Sequence, residues 1–130
     1  MDLEKLKEAA LKARDFAHAP YSNFRVGAAL LDQSGVITTG CNVENATYGL
    51  TICAERLAIF KAISEGKKKF QALAVAADSE ILAPPCGACR QIIWEFCGDI
   101  PVYLVNVRGG EKMFQMSQLF PDPFDDRQLT

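Results

Sequence analysis

The sequence has no long hydrophobic run, only one histidine and one tryptophan, and no excess of basic residues. No stretch is long and apolar enough to cross a bilayer, so we expect no membrane partner. The first residues alternate charged and apolar side chains instead of forming the apolar centre of a secretory signal, so we expect a cytoplasmic protein. A net charge of −2 provides no field that attracts a phosphate backbone, so we expect no nucleic-acid partner.

The length of 130 residues is typical of one globular domain, and we expect a single domain over residues 1–130. Hydrophobic residues make up 49% of the chain and charged residues 23%, as in an ordinary folded protein. A chain this short leaves much of its surface exposed, so burial between subunits is a natural way to complete a deep pocket. This size therefore favours an oligomer.

The order of predicted elements is helix, hairpin, helix, strand, helix, hairpin. Apolar periodicity and glycine or proline stops predict helices over 2–17, 53–65 and 86–98, and strands over 24–31, 36–39, 72–77, 102–105 and 112–116. Residues 42–51 show no hydrophobic periodicity, and we expect them to form a functional loop. The pattern predicts an α/β fold, a three-layer α/β/α sandwich with a mixed, roughly five-stranded sheet.

The five cysteines are an odd number, which argues against a disulfide framework and for metal ligands, catalytic thiols or buried packing. Cys53 opens the second predicted helix, and Cys86 and Cys89 open the third. A spacing of three places Cys86 and Cys89 on one helix face, within reach of one ion. The positive end of a helix favours the thiolate form, which binds zinc. Cys41 and Cys97 have no partner spacing, and we interpret them as packing residues.

Three protein ligands leave the fourth position of a tetrahedral zinc ion to water, which the ion makes more acidic. Glu55 follows Cys53 by two residues, within the first helical turn, and is the candidate general acid and base. Arg56 could donate hydrogen bonds to the ligand sulfurs and offset the negative charge of three thiolates.

The strings Cys53-Ala54-Glu55 and Pro85-Cys86-Gly87-Ala88-Cys89 match the sequence pattern of zinc-dependent nucleobase deaminases. With these strings in order, the chain resembles the cytidine deaminase family over nearly its whole length, in its short, three-cysteine, homotetrameric kind. Further strings that carry the resemblance are Ala19-Pro20-Tyr21-Ser22, Val26-Gly27-Ala28-Ala29, Asn42-Val43-Glu44-Asn45 and Cys89-Arg90-Gln91.

The resemblance implies a cytidine deaminase-like sandwich, one zinc ion per subunit, and hydrolysis of free cytidine and deoxycytidine to the uridines and ammonia, as in pyrimidine salvage. It assigns proton transfer to Glu55, and its implied substrate contacts are Phe24 at the base, Asn42 and Glu44 at the ribose hydroxyls, and Ala54 in the pocket. It further implies a homotetramer in which Tyr48 and Phe124 reach a neighbouring subunit's pocket. Around Phe124, the string Pro121-Asp122-Pro123 departs from the Gly-Ala that is commoner in the family.

Other interpretations remain open. The substrate could be another aminopyrimidine, such as a nucleoside antibiotic, although Asn42 and Glu44 favour a substrate with a ribose. It could also be a base within RNA or DNA, although the sequence shows no basic face for a polymer. A thiol oxidoreductase built on Cys86 and Cys89 predicts a titratable disulfide and no zinc. A structural zinc module that binds a partner predicts a fourth protein ligand, and the sequence offers no obvious one.

Overall fold

A five-stranded sheet forms the centre of the protein in a computed structural model that describes residues 1–129. The strands are β1 (Val26–Asp32), β2 (Ile37–Cys41), β3 (Phe70–Ala77), β4 (Pro101–Asn106) and β5 (Glu111–Gln115). The helices are α1 (Leu3–Arg14), α2 (Ala54–Ser64), α3 (Gly87–Cys97) and α4 (Met116–Leu119), with short 3-10 helices at Tyr48–Leu50 and Asp126–Leu129. Among these residues, no helix combines the length and apolar character that crossing a membrane would require.

The sheet is mixed, with the strand order β2-β1-β3-β4-β5. Strands β3 and β4 run parallel, and every other neighbouring pair is antiparallel. Helix α1 buries Leu6 and Ala10 against one face, whereas α2 and α3 bury residues such as Ile59 and Ile93 against the other. The predicted α/β/α sandwich with a mixed five-stranded sheet is therefore confirmed.

The central strand β3 is buried at every position except Gln71, which is half-buried. A strand covered on both faces needs apolar side chains on both, which explains its nearly continuous apolar sequence. On one side it contributes Leu73 and Val75 to the core under α2 and α3, and on the other Ala72 and Ala74 to the core under α1. The sheet thus separates two cores.

Two glycines allow helices to lie directly on the sheet. A Cβ atom at Gly27 of β1 would lie 2.2 Å from the Ala10 carbonyl oxygen of α1. A Cβ atom at Gly40 of β2 would lie 2.5 Å from the Ala58 backbone nitrogen of α2. No side chain fits at such distances, so the backbones pack at closest approach.

The observed helices are shorter than the predicted ones. Helix α1 ends at Arg14 rather than Ala17, because bonds from Asp15 to Lys12 and from Phe16 to Ala13 tighten its last turn. The predicted helices 53–65 and 86–98 begin one residue later, since their first cysteines have extended backbones and act as N-caps.

The second hairpin is followed by a helix that the sequence did not predict. Strand β5 ends at Gln115, and Met116 begins α4 instead of ending the strand. Gln115 and Gln118 exchange side-chain to backbone hydrogen bonds, a reciprocal cap that starts the helix. Strand β3 also begins at Phe70, two residues before the predicted start.

Candidate active site

The Sγ atoms of Cys53, Cys86 and Cys89 lie within 4.8 Å of one another. Cys53 is the N-cap of α2, Cys86 is the N-cap of α3, and Cys89 follows in the first turns of α3. The two helices therefore direct their N-termini at one point. The partial positive charge of each N-terminus favours thiolates there.

The sulfur cluster fits a zinc ion. Tetrahedral Zn–S bonds of about 2.3 Å place sulfurs about 3.8 Å apart, a spacing that this cluster can adopt. Over residues 1–129, the cluster contains three histidine, cysteine or acidic donors and no fourth, and His18 is not one of them. A structural zinc module would need that fourth ligand, so the donor set fits a site with one open position.

The thiols of Cys53 and Cys89 share a hydrogen bond that shifts their pKa values in opposite directions. The hydrogen bond with Cys89, reinforced by one from Arg56, lowers the pKa of Cys53 to about 5. The same bond with Cys53, together with burial, raises the pKa of Cys89 above its usual range. The pair thus shares one proton, which a metal ion displaces when it binds both sulfurs.

Glu55 lies in the first turn of α2 and is only 5% exposed. Burial raises the pKa of its carboxyl to about 7, with the charge on Cys53 adding to the rise and that on Arg56 opposing it. A carboxyl that titrates near neutral pH can both accept and donate a proton in the physiological range. Glu55 therefore has the protonation behaviour that a general acid and base needs.

A cleft of about 230 Å³ lies beside the sulfurs. It gathers most of the side chains predicted to touch substrate: Phe24, Asn42, Glu44, Ala54 and Glu55, together with Cys53 and Cys86. The sequence did not single out the rest of its lining: Ser22, Val26, Thr51, Ile52, Val75, Ala83 and Pro84. Ser22 and Val26 lie in strings that carry the resemblance, and Pro84 directly precedes Pro85-Cys86, so proximity to these motifs was the available signal.

Asn42 and Glu44 are both held by the backbone around the cleft. The Asn42 amide accepts a hydrogen bond from the Val26 backbone nitrogen at 2.9 Å and donates to the Phe24 carbonyl at 2.8 Å. The Glu44 carboxylate accepts hydrogen bonds from the backbone N–H groups of Tyr21 and Ser22 and from the Ser22 hydroxyl. These hydrogen bonds, above all the one from the Ser22 hydroxyl, lower the pKa of Glu44. Its carboxylate is therefore anionic at neutral pH.

Within residues 1–129, neither Tyr48 nor Phe124 lines the cleft. Tyr48 is 73% exposed and packs edge-to-face on Tyr21, with ring centroids 5.8 Å apart. Phe124 is 55% exposed, and its carbonyl accepts a hydrogen bond from Gln91 of α3. Both rings are therefore large apolar groups on the surface of the single chain.

The two remaining cysteines lie away from the sulfur cluster. Cys97 packs against the core under α2 and α3, and burial raises its pKa to about 12. Burial also raises the pKa of Cys41. The environment of Cys97 agrees with the packing role predicted for it, and the role of Cys41 stays a prediction.

Comparison with known proteins gives a consistent result. Residues 1–105 match the family described as the cytidine and deoxycytidylate deaminase zinc-binding region. The cytidine deaminase of Sporosarcina psychrophila is 52% identical over 131 aligned positions, which span all of this chain and 96% of the relative. That of Mycobacterium tuberculosis H37Rv is 43% identical over 124 positions, 95% of this chain and 90% of the relative.

Solved structures agree with the sequence relatives. The crystal structure of a cytidine deaminase from Burkholderia pseudomallei superposes with a TM-score of 0.92 at 46% identity, over 95% of this chain and 100% of that one. The structure of the Mycobacterium tuberculosis protein gives 0.82 at 36% identity, over 96% and 98% of the two chains. The resemblance read from the motifs is confirmed, and the chain belongs to the zinc-binding cytidine and deoxycytidylate deaminase family.

Proposed function

We propose that the protein is a zinc-dependent hydrolase that converts free cytidine and deoxycytidine to uridine and deoxyuridine with release of ammonia. The observation that carries this proposal is the buried Glu55 carboxyl, which shares a cleft with Cys53 and Cys86 of the three-sulfur cluster. The names of its relatives support the same activity. We assign the reaction to pyrimidine salvage in the cytoplasm.

Cys53, Cys86 and Cys89 would hold one zinc ion per subunit, and a zinc ion bound there supplies a Lewis acid that makes water easier to deprotonate. Glu55 accepts one proton from the attacking water and delivers it to ring nitrogen N3, which makes C4 more electrophilic. The water oxygen bonds to C4. Glu55 then moves the remaining hydroxyl proton to the exocyclic amine, the C4–N4 bond breaks, and ammonia and the C4 carbonyl form.

The other residues of the cleft bind and orient the nucleoside. Phe24 and Ala54 contact the base, and Asn42 and Glu44 bind the ribose hydroxyls. The backbone bonds of Asn42 and Glu44 fix both groups before substrate arrives, which reduces the entropy lost on binding. A base without ribose cannot use the remaining hydrogen-bonding capacity of these two side chains, so it binds through fewer contacts and should be a poor substrate.

We further propose a homotetramer in which Tyr48 and Phe124 complete the pocket of a neighbouring subunit. The support is that both rings are more than half exposed, lie outside their own cleft, and correspond to aromatic residues with that role in the resembled family. Exposed aromatic rings of this size are typical of interfaces.

The test is to incubate the purified protein with cytidine and follow the loss of the cytosine ultraviolet band. We expect turnover that a strong zinc chelator abolishes and added zinc restores, with about one zinc ion per chain by metal analysis. Cytosine serves as the matched control substrate and should react far more slowly. Turnover by fully zinc-free protein would contradict the proposal, as would zinc-loaded protein that leaves cytidine unchanged.

A further inference from the structure

Arg90 of α3 contacts the residue that precedes a metal-ligand candidate. Its Nε atom donates a hydrogen bond to the Pro85 carbonyl at 2.8 Å, and its Nη1 atom donates to the Leu119 carbonyl at 2.6 Å. Pro85 is fully buried and is joined directly to Cys86. The guanidinium therefore ties the segment that leads to Cys86 to the end of α4.

Arg90 also bonds the other side of Cys86. Its backbone N–H donates to the Cys86 carbonyl at 2.9 Å. The two peptide groups that flank the Cys86 Cα atom thus accept hydrogen bonds from one residue, one from its side chain and one from its backbone. These bonds together restrain rotation about both backbone dihedrals of Cys86.

The backbone on the N-terminal side of Cys86 has few other polar groups to hold it. Pro84 and Pro85 lack N–H donors, so the Pro85 carbonyl is the only backbone hydrogen-bonding group of its residue. Cys86 is itself exposed, and no side chain caps the start of α3. The direction of the Cys86 sulfur therefore depends on its backbone more than on packing around the thiol.

We propose that Arg90 is a positioning residue for the metal centre, which fixes the Cys86 backbone and couples it to the end of α4. This inference rests on the metal site of the proposed function. Arginine suits the role because a planar guanidinium can donate to two carbonyls in a fixed geometry, whereas lysine offers a single flexible ammonium. Arg90 acts through the backbone and does not touch the substrate.

The test is the rate at which the zinc-loaded protein releases zinc to an excess of a chromogenic chelator. Removal of a residue that orients a metal ligand typically costs about 10- to 100-fold in affinity, so Arg90→Met should release zinc faster by about that factor. Arg90→Lys, which keeps the charge but not the fixed geometry that reaches two carbonyls, should be intermediate. The visible spectrum of the cobalt-substituted variants should change in the same order, because the ligand geometry around the ion is altered.

Trp94→Phe is the matched control. The Trp94 Nε1 atom donates to Asp125 at 3.0 Å, so this change also removes a bond between α3 and the C-terminal segment, but leaves Pro85 untouched. We expect its zinc release and cobalt spectrum to match those of the wild type. If Arg90→Met matches the wild type, or accelerates release no more than Trp94→Phe, the inference is wrong. A wild type that holds no zinc would instead refute the proposed metal site itself.

Discussion

The Nη2 atom of Arg56 donates a hydrogen bond to the Sγ atom of Cys53 at 3.3 Å. The two residues are three apart at the start of α2, so the cation and the sulfur occupy the same helix face. The buried Nε atom of Arg56 has no hydrogen-bond partner among the described residues. The guanidinium is thus oriented so that its Nη2 atom bonds the sulfur, while its buried Nε donor makes no hydrogen bond among the described residues.

Replacement of Arg56 by glutamine should lower kcat but leave the thermal stability of the protein nearly unchanged. Three thiolates and one dication carry a net charge of −1, and loss of the nearby cation leaves that charge less balanced, which makes metal-bound water less acidic. We expect kcat to fall by about 10- to 100-fold while the thermal midpoint changes little. Arg56→Lys should keep part of the activity. Steady-state kinetics equal to those of the wild type would show that this charge is not needed.

Replacement of Glu55 by glutamine should separate binding from catalysis. The amide has nearly the same shape as the carboxyl, so fold and zinc content should persist, but it cannot carry a proton between water, N3 and the amine. We expect kcat to fall by about 100- to 10,000-fold. Zinc analysis and circular dichroism provide the controls. Substantial activity in a variant with full zinc would overturn the assignment of Glu55.

The structure brings together the three cysteines that the sequence singled out, because thiolates at helix starts follow from local rules of spacing and capping. The sequence could not predict which groups the side-chain amide of Asn42 would bond. Its amide bonds the backbone on both sides of Arg25, and that contact exists only after β1 has paired with β2. The bonds of Arg90 could not be predicted either. Its partner Leu119 lies 29 residues away, in helix α4, which the hydrophobic periodicity of the sequence did not indicate.

Mixed assemblies provide a test of the shared pocket. If Phe124 completes a neighbour's site, Phe124→Ala should raise KM for cytidine while zinc content stays at one ion per chain. Subunits carrying Glu55→Gln are inactive but still present an intact Phe124. Co-refolded mixtures of the two variants should therefore show a lower KM than Phe124→Ala alone. A KM that does not depend on mixing would contradict the exchange of this ring between subunits.

The C-terminal segment should loosen in acid. Hydrogen bonds from Arg127 and Trp94 hold the pKa of Asp125 well below its usual range. Because the folded-state pKa is depressed, these bonds stabilise the segment at neutral pH, and the stabilisation is lost as pH falls below the ordinary carboxyl pKa of about 3.9. Trp94 is the only tryptophan, so its fluorescence reports the change directly.

We expect Asp125→Asn to give at neutral pH an emission spectrum closer to that of the acid-treated wild type, with a smaller change on acidification. Asp122→Asn is the matched control, because Asp122 is an exposed acid in the same segment. Identical acid titrations for the wild type and Asp125→Asn would show that this carboxylate does not hold the segment.

The absence of a Cβ atom at Gly40 influences the geometry of the sulfur cluster, although Gly40 lies on strand β2. Helix α2 carries Cys53 and Glu55 and rests on β2 where a Cβ atom would lie 2.5 Å from its backbone. Cys86 and Cys89 belong to α3. An alanine at residue 40 would therefore move Cys53 away from Cys86 and Cys89. The edge strand thus sets the distance between the one sulfur on α2 and the two on α3.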